Sequence, residues 1–336
     1  MDNKKMLKSL TDEEINNLDD KQLFNIVFGP ILNLEYPINK VPKDENNKDK
    51  SIAIILGATV KPIKRRLTKF YELFKSGYNP YKIMLCGGKG WKRAKTASTE
   101  LILHCYPELE DELLKDCIKR EKLKLNDKQI QDAISSFTPE YKNGILNKRI
   151  MQMTEAELMA WILNSCKHNE NEDYSRINKK DVILETQSEY TNENANNCIG
   201  IIESRLKANK DLDIDNMVVF NEWQYLSRAY LTIKKSMKNK INQLKNGNEE
   251  DKQIAEKLEK IKLYAEPAEY GKNVQVSYND IKEFRTMLKT EVKKMRDYDD
   301  VDDIDISKFI NAKKVDKKCP TIEIRKVEHE NMEREI

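Results

Sequence analysis

A chain of 336 residues is long enough for one large domain with insertions or for two of ordinary size. Its 60 basic and 57 acidic residues nearly cancel, so a net charge of +3 gives no general field for capturing nucleic acid or an anionic membrane. An apolar share of 39% beside a charged share of 35% is low for a globular protein and predicts that part of the chain is solvated helix or tail.

The lysines near the N-terminus are followed by no apolar run, so no secretory signal is expected. The longest apolar stretch, residues 52–60, falls far short of the ~20 residues a membrane helix needs. The expected setting is the cytoplasm, with no membrane partner. Cys86, Cys105, Cys117, Cys166, Cys198 and Cys319 form no C-x-x-C pair, and His104, His168 and His329 complete no zinc pattern. No metal is expected, and the cysteines read as free thiols in a reducing compartment.

Thr11 and Glu14 read as a capping box that opens a helix over 11–28, ended by Gly29-Pro30. Residues 41–50 read as a polar linker, which makes 1–50 a helical segment ahead of the main domain. Residues 51–56 are a continuous apolar run closed by Gly57, as in a central strand buried on both faces. A helix over 63–76, with Leu67, Phe70, Tyr71 and Phe74 inward, leads to a second strand over 81–86 that Gly87-Gly88 closes. Residues 91–150 are charged with a helical pattern and read as an insertion or cap. A helix opens at Thr154, with Leu158, Trp161 and Ile162 inward, and a third strand follows over 181–184. Then come a helix over 191–206, a strand over 217–220 and a helix over 225–237. Residues 238–260 show no strong apolar stripe and read as a solvated helix or charged excursion. A fifth strand over 261–265 and a helix over 278–295 finish the domain, leaving 301–336 as a charged, loosely ordered tail. Strand and helix alternate, which predicts an α/β fold: an open, doubly wound parallel sheet flanked by helices over 51–300, with a helical insertion and extra terminal helices.

Such sheets bind ligands beyond the carboxyl ends of their strands. There the sequence places Gly57-Ala58 with Lys61, Lys64, Arg65 and Arg66 behind them, then Gly87-Gly88. Glu185, Ser188, Thr191, Glu193 and Asn194 follow the third strand, and Arg228 follows the fourth. Glu155 and Glu157 open the helix before the third strand. Taken singly, each has an ordinary structural reading: a tight turn for the glycines, a helix cap for the hydroxyls, a helix-dipole partner for the carboxylates. Gathered on one edge, they form the polar minority expected of a pocket for a charged small molecule.

The order Gly57-Ala58, Cys86-Gly-Gly-Lys-Gly90, Thr154-Glu-Ala-Glu157, Glu185-x-x-Ser188-x-x-Thr191-x-Glu193-Asn194 and Arg228-Ala229 resembles the YdcF/SanA/ElyC-like family over roughly residues 51–229. Tyr225 stands where the membrane-anchored branches carry a histidine, which makes the chain more similar to the cytoplasmic YdcF branch. Residues 287–297, with Glu291, Arg296 and Asp297, resemble a C-terminal helix of that branch. The resemblance implies a Rossmann-like fold and a nucleotide-type ligand, with S-adenosylmethionine as the proposed cofactor. The implied ligand-binding residues are Gly57, Ala58, Lys64, Gly87, Gly88, Glu157, Ser188, Thr191, Asn194 and Arg228. The insertion over 91–150 is longer than in most members.

Three functions compete. A binder of a nucleotide-like small molecule would admit it over the glycines and meet its polar groups with Glu185 or Glu193, Lys64 and Arg228. A hydrolase or transferase on a phosphorylated or glycosidic substrate would use Glu155, Glu185 and Glu193 for acid–base chemistry. A non-catalytic interaction protein would use the charged helices at 91–150 and 238–260. The histidines provide no Ser-His-Asp arrangement, and the acidic run 297–305 lacks the glycine and closing glutamate of a calcium loop.

Overall fold

The computed structural model describes residues 4–31, 34, 36–37, 48–58, 60–88, 154–165, 177–268, 281–299 and 301–310. Strands β1 (Asp49–Leu56), β2 (Pro80–Cys86), β3 (Val182–Glu185), β4 (Asn216–Asn221) and β5 (Lys262–Pro267) form one parallel sheet in the order β3-β2-β1-β4-β5. All five expected strands are present, within about two residues of their expected ends. Helix α3 (Val60–Lys75) joins β1 to β2, with Gly77 at φ 106° making the turn between them. Helix α4 (Glu155–Ser165) precedes β3, and α5 (Thr191–Ala208) returns the chain to β4. Helices α6 (Trp223–Lys245) and α7 (Glu249–Lys260) lead to β5, and α8 (Ile281–Asp297) follows it.

The central strand shows why the layers form. Ile52, Ile54 and Leu56 face a core shared with α5, α6 and α8, while Ala53 and Ile55 face a second core shared with α3 and α4. All five are buried, and each fully buried isoleucine contributes about 1.5–3 kcal/mol relative to exposure. The chain builds outward from β1 through β2 to β3, then crosses back to β4. The strand order therefore reverses between β1 and β4, and the carboxyl ends of these two strands mark the switch point at which such folds bind ligands.

Three regions depart from expectation. The N-terminal helix is two helices, α1 (Asp12–Asn17) and α2 (Asp20–Phe28). Leu18 is extended, and Asp19 with Gln22 forms a second capping box that restarts the helix. The stretch 238–260 is packed rather than an excursion: α6 runs on to Lys245, and Ile241, Leu244, Ile254, Ala255 and Leu258 are buried. Ion pairs Lys207–Asp251 (2.8 Å) and Lys240–Glu203 (2.9 Å) tie these helices to α5. The start of the charged tail is ordered by the N-terminus. Leu7 N–H donates to Ile304 O (2.9 Å) and Ile306 N–H to Lys5 O (2.8 Å), with Val301 and Ile306 fully buried and a helical turn at Ser307–Ile310. In α4, Ala156, Met159 and Leu163 face the core. The expected inward side chains Leu158, Trp161 and Ile162, the insertion over 91–150 and residues 311–336 lie outside the described part of the chain.

Candidate ligand site at the strand ends

The ends of the first three strands are stitched together by backbone. Gly57 N–H donates to Cys86 O at 2.5 Å, and Gly87 N–H donates to Glu185 O at 3.0 Å. The first turn of α4 lies across them, with Ala156 N–H donating to Gly87 O at 3.0 Å. A Cβ at Gly57 or at Gly87 would stand 2.7 Å from Cβ of Glu155, and one at Gly88 would stand 2.7 Å from the Ser188 nitrogen. The glycines expected to admit a ligand thus admit protein instead: Glu155 fills the space over Gly57 and Gly87, and the loop after β3 fills that over Gly88. Ala58 is half-buried beside this turn. Lys64 lies on α3, with its side chain outside the described part.

A group of charges that the sequence reading placed at the strand ends without joining them occupies the β1–β4 switch point. Arg66 is 3% exposed and donates from Nη1 to Leu56 O (2.5 Å) and Gly57 O (2.8 Å). Its Nη2 reaches Oε2 of Glu222 at 3.4 Å, and Arg65 pairs with the other oxygen of the same carboxylate. Glu222 is the N-cap residue of α6, yet its buried side chain turns to these arginines instead of capping the helix. Burial pushes the Arg66 pKa down to about 10 against the pull of Glu222 and Glu155, so the guanidinium remains charged at neutral pH. Its Nε–H has no hydrogen-bond partner among the described residues. Arginine is rarely buried, so sequence favours the solvated reading. The signals were its place in the second turn of α3 and the carboxylate that follows β4.

The fullest motif forms a loop clamp. Oε1 of Glu185 accepts from Gln187 N–H (2.8 Å), Ser188 N–H (3.1 Å) and Asn197 Nδ2 (2.9 Å). Its Oε2 takes the Ser188 hydroxyl, which also meets the side-chain amide of Asn194. Glu193 accepts from Glu189 N–H (2.6 Å) and Tyr190 N–H (3.3 Å), closing the start of α5, where Thr191 is the first helical residue. Glu157 makes the matching capping box with Thr154 at the start of α4. Of the three candidate acid–base carboxylates, Glu185 and Glu193 therefore hold backbone, while Glu155 lies against the glycine turns within reach of the charge on Arg66.

Arg228 is placed apart from this group. It donates from Nε to Glu291 of α8 at 2.7 Å and packs against the rings of Tyr225 and Tyr298. Among the described residues no hydrogen bond joins it to Glu155, Glu185 or Glu193.

Among the described residues no set of three His, Cys, Asp or Glu side chains is arranged to hold a metal ion, and no helix is long and apolar enough to cross a membrane. No family model and no curated protein matches the chain.

Proposed function

We propose that the chain is a YdcF-like protein that binds a nucleotide-type small molecule, similar to S-adenosylmethionine, at the carboxyl ends of β1 and β4. The observation that carries this reading is the buried Glu155–Arg66–Glu222 group at the switch point of a 3-2-1-4-5 sheet. Charges removed from water cost stability unless they serve a purpose, and they concentrate at functional sites. The Nε–H of Arg66, buried and without an acceptor among the described residues, supports a polar partner at this point. Helices α3, α4, α5 and α6 all begin on this edge, so their N-terminal dipoles favour the anionic part of a ligand. Arg65, about two-fifths exposed, suits a ligand carboxylate, and the carboxylates suit ribose hydroxyls or an ammonium. The order of the Gly57, Gly87, Glu155 and Glu185 motifs is similar to that of the YdcF branch. A hydrolase or transferase reading narrows to Glu155 as its acid–base group, because Glu185 and Glu193 are bound to backbone.

Thermal unfolding against S-adenosylmethionine, S-adenosylhomocysteine, ATP, NAD and sugar phosphates tests the reading. A ligand at a hundredfold excess over its Kd stabilises the native state by about 2.7 kcal/mol. An adenosyl ligand should raise the midpoint in the wild type and raise it clearly less in Glu155→Gln and Arg65→Ala. No rise with any adenosyl compound rejects the binder, and a rise unchanged in both variants moves the site elsewhere.

A further inference from the structure

Cys86 ends β2, and Cys198 stands on the inner side of α5, 112 positions further along the chain. Both are free thiols with no exposed surface, and their sulfurs lie 3.1 Å apart. A disulfide brings two sulfurs to about 2.05 Å, so roughly 1 Å of closure separates this pair from a bond.

We propose that Cys86 and Cys198 are a modification site, a reversible disulfide formed by a small peroxide that ties the end of β2 to α5. One sulfur, as thiolate, attacks a peroxide oxygen; the O–O bond breaks, water leaves and a sulfenic acid remains. The second sulfur attacks the sulfenic sulfur and displaces its hydroxyl as water. The two thiols give up two electrons and two protons, and hydrogen peroxide is reduced to water.

The surroundings determine when this happens. The contact with Cys198, together with burial, holds the Cys86 thiol well above its usual range, so that thiol rests protonated and slow to react. Access comes through the loop over 186–190. Cys86 stands opposite Glu185 in the β2–β3 pairing, and Asn197, next to Cys198 in the chain, donates to Glu185. Opening the Glu185 clamp exposes the thiols to a small neutral oxidant, and the bond then restrains α5 against β2. The inference does not depend on the ligand proposed at the β1–β4 end of the sheet.

The test treats the full chain with hydrogen peroxide, blocks remaining thiols with N-ethylmaleimide under denaturing conditions and digests it without reduction. The expected product is a Cys86–Cys198 linked peptide pair, lighter by the two thiol hydrogens and separated by dithiothreitol. The unfolding midpoint should rise by roughly 5–10 °C on oxidation and fall back on reduction. Cys86→Ala and Cys198→Ala should each lack that rise. Maleimide on both cysteines after peroxide, or either cysteine joined to a different one, overturns the proposal. A linked pair that leaves the midpoint unchanged overturns the tie between β2 and α5.

Discussion

The Nε–H of Arg228 donates to Oε1 of Glu291 at 2.7 Å across the seam between α6 and α8. The side chains are 13% and 3% exposed, so this is a buried pair and not a surface ion pair. Contacts advance together along the two helices, from Trp223–Phe284 through Arg228–Glu291 to Lys235–Asp299. Two stretches that suggested the same family separately, one after β4 and one near the C-terminus, are thus joined in space.

Removing one partner strands a charge without water. Arg228→Ala should lower stability by about 3–5 kcal/mol, because Glu291 remains buried and unpaired. Arg228→Met with Glu291→Leu should recover most of that loss. Urea unfolding midpoints decide the matter: a double variant as unstable as the single one would show that the pair is not what the helix seam depends on.

The glycines separate in the same way by what surrounds them. Gly88→Ala sets a Cβ against the backbone of Ser188, which cannot move without opening the Glu185 clamp, and should cost about 1–3 kcal/mol or more. Gly200, inside α5, has nothing within 4 Å of its Cβ position, and Gly200→Ala should stabilise by up to about 1 kcal/mol through helix propensity. Thermal unfolding of the two variants side by side should give shifts of opposite sign.

Gly88 also illustrates how far the sequence could be read. A glycine pair after an apolar run marks a strand end, and every strand was legible because β1, β2 and β4 are continuous apolar runs. What fills the space over the glycine was not legible, since Ser188 is brought there by pairing across a long stretch of chain. The packing of helix α7 was hidden because Ile254, Ala255 and Leu258 lie among charges that dominate any average over the segment. The break at Leu18 was masked by an apolar period that continues across it, although Asp19 and Gln22 carry the signature of a second cap. Arg66 was read only as one of four basic residues behind Gly57, because its burial depends on Glu222 and two carbonyls that the fold brings to it. The candidate carboxylates were found as residues, but their roles as loop clamps depend on hydrogen bonds that spacing alone does not reveal.

Asp181 links the N-terminal ends of the first strands, accepting from Lys82 at 2.9 Å and pairing with Lys48. Burial alone would raise its pKa, but hydrogen bonds from Lys48 and Lys82 outweigh it and hold the carboxyl below its ordinary value of 3.8. A carboxylate depressed in the folded state adds stability above its unfolded pKa and loses it as the pH falls through the folded one. Asp181→Asn should therefore cost about 1–3 kcal/mol at pH 7. The gap from the wild type should close below pH 3.8. Urea midpoints measured from pH 7 to pH 2 test this, and a gap that stays constant throughout would remove the ion pairs as its cause.

Arg65 and Arg66 are adjacent and share Glu222, yet they should behave differently. Arg66 is buried, and Arg66→Ala leaves Glu222 with only a half-exposed partner and frees the carbonyls of Leu56 and Gly57, so the loss should be about 3–5 kcal/mol. Arg65 is about two-fifths exposed, so Arg65→Ala should cost under about 1 kcal/mol, since Arg66 still faces the carboxylate. If the crevice takes a ligand carboxylate, Arg65→Ala should weaken S-adenosylmethionine binding by roughly tenfold or more, the loss of one charge-assisted hydrogen bond. Calorimetric titration of the folded Arg65→Ala protein, beside its unfolding curve, reads the two effects separately. Wild-type affinity in that variant would take Arg65 out of the site, and an unfolding midpoint as low as that of Arg66→Ala would mean that the two arginines hold one structural ion cluster in common.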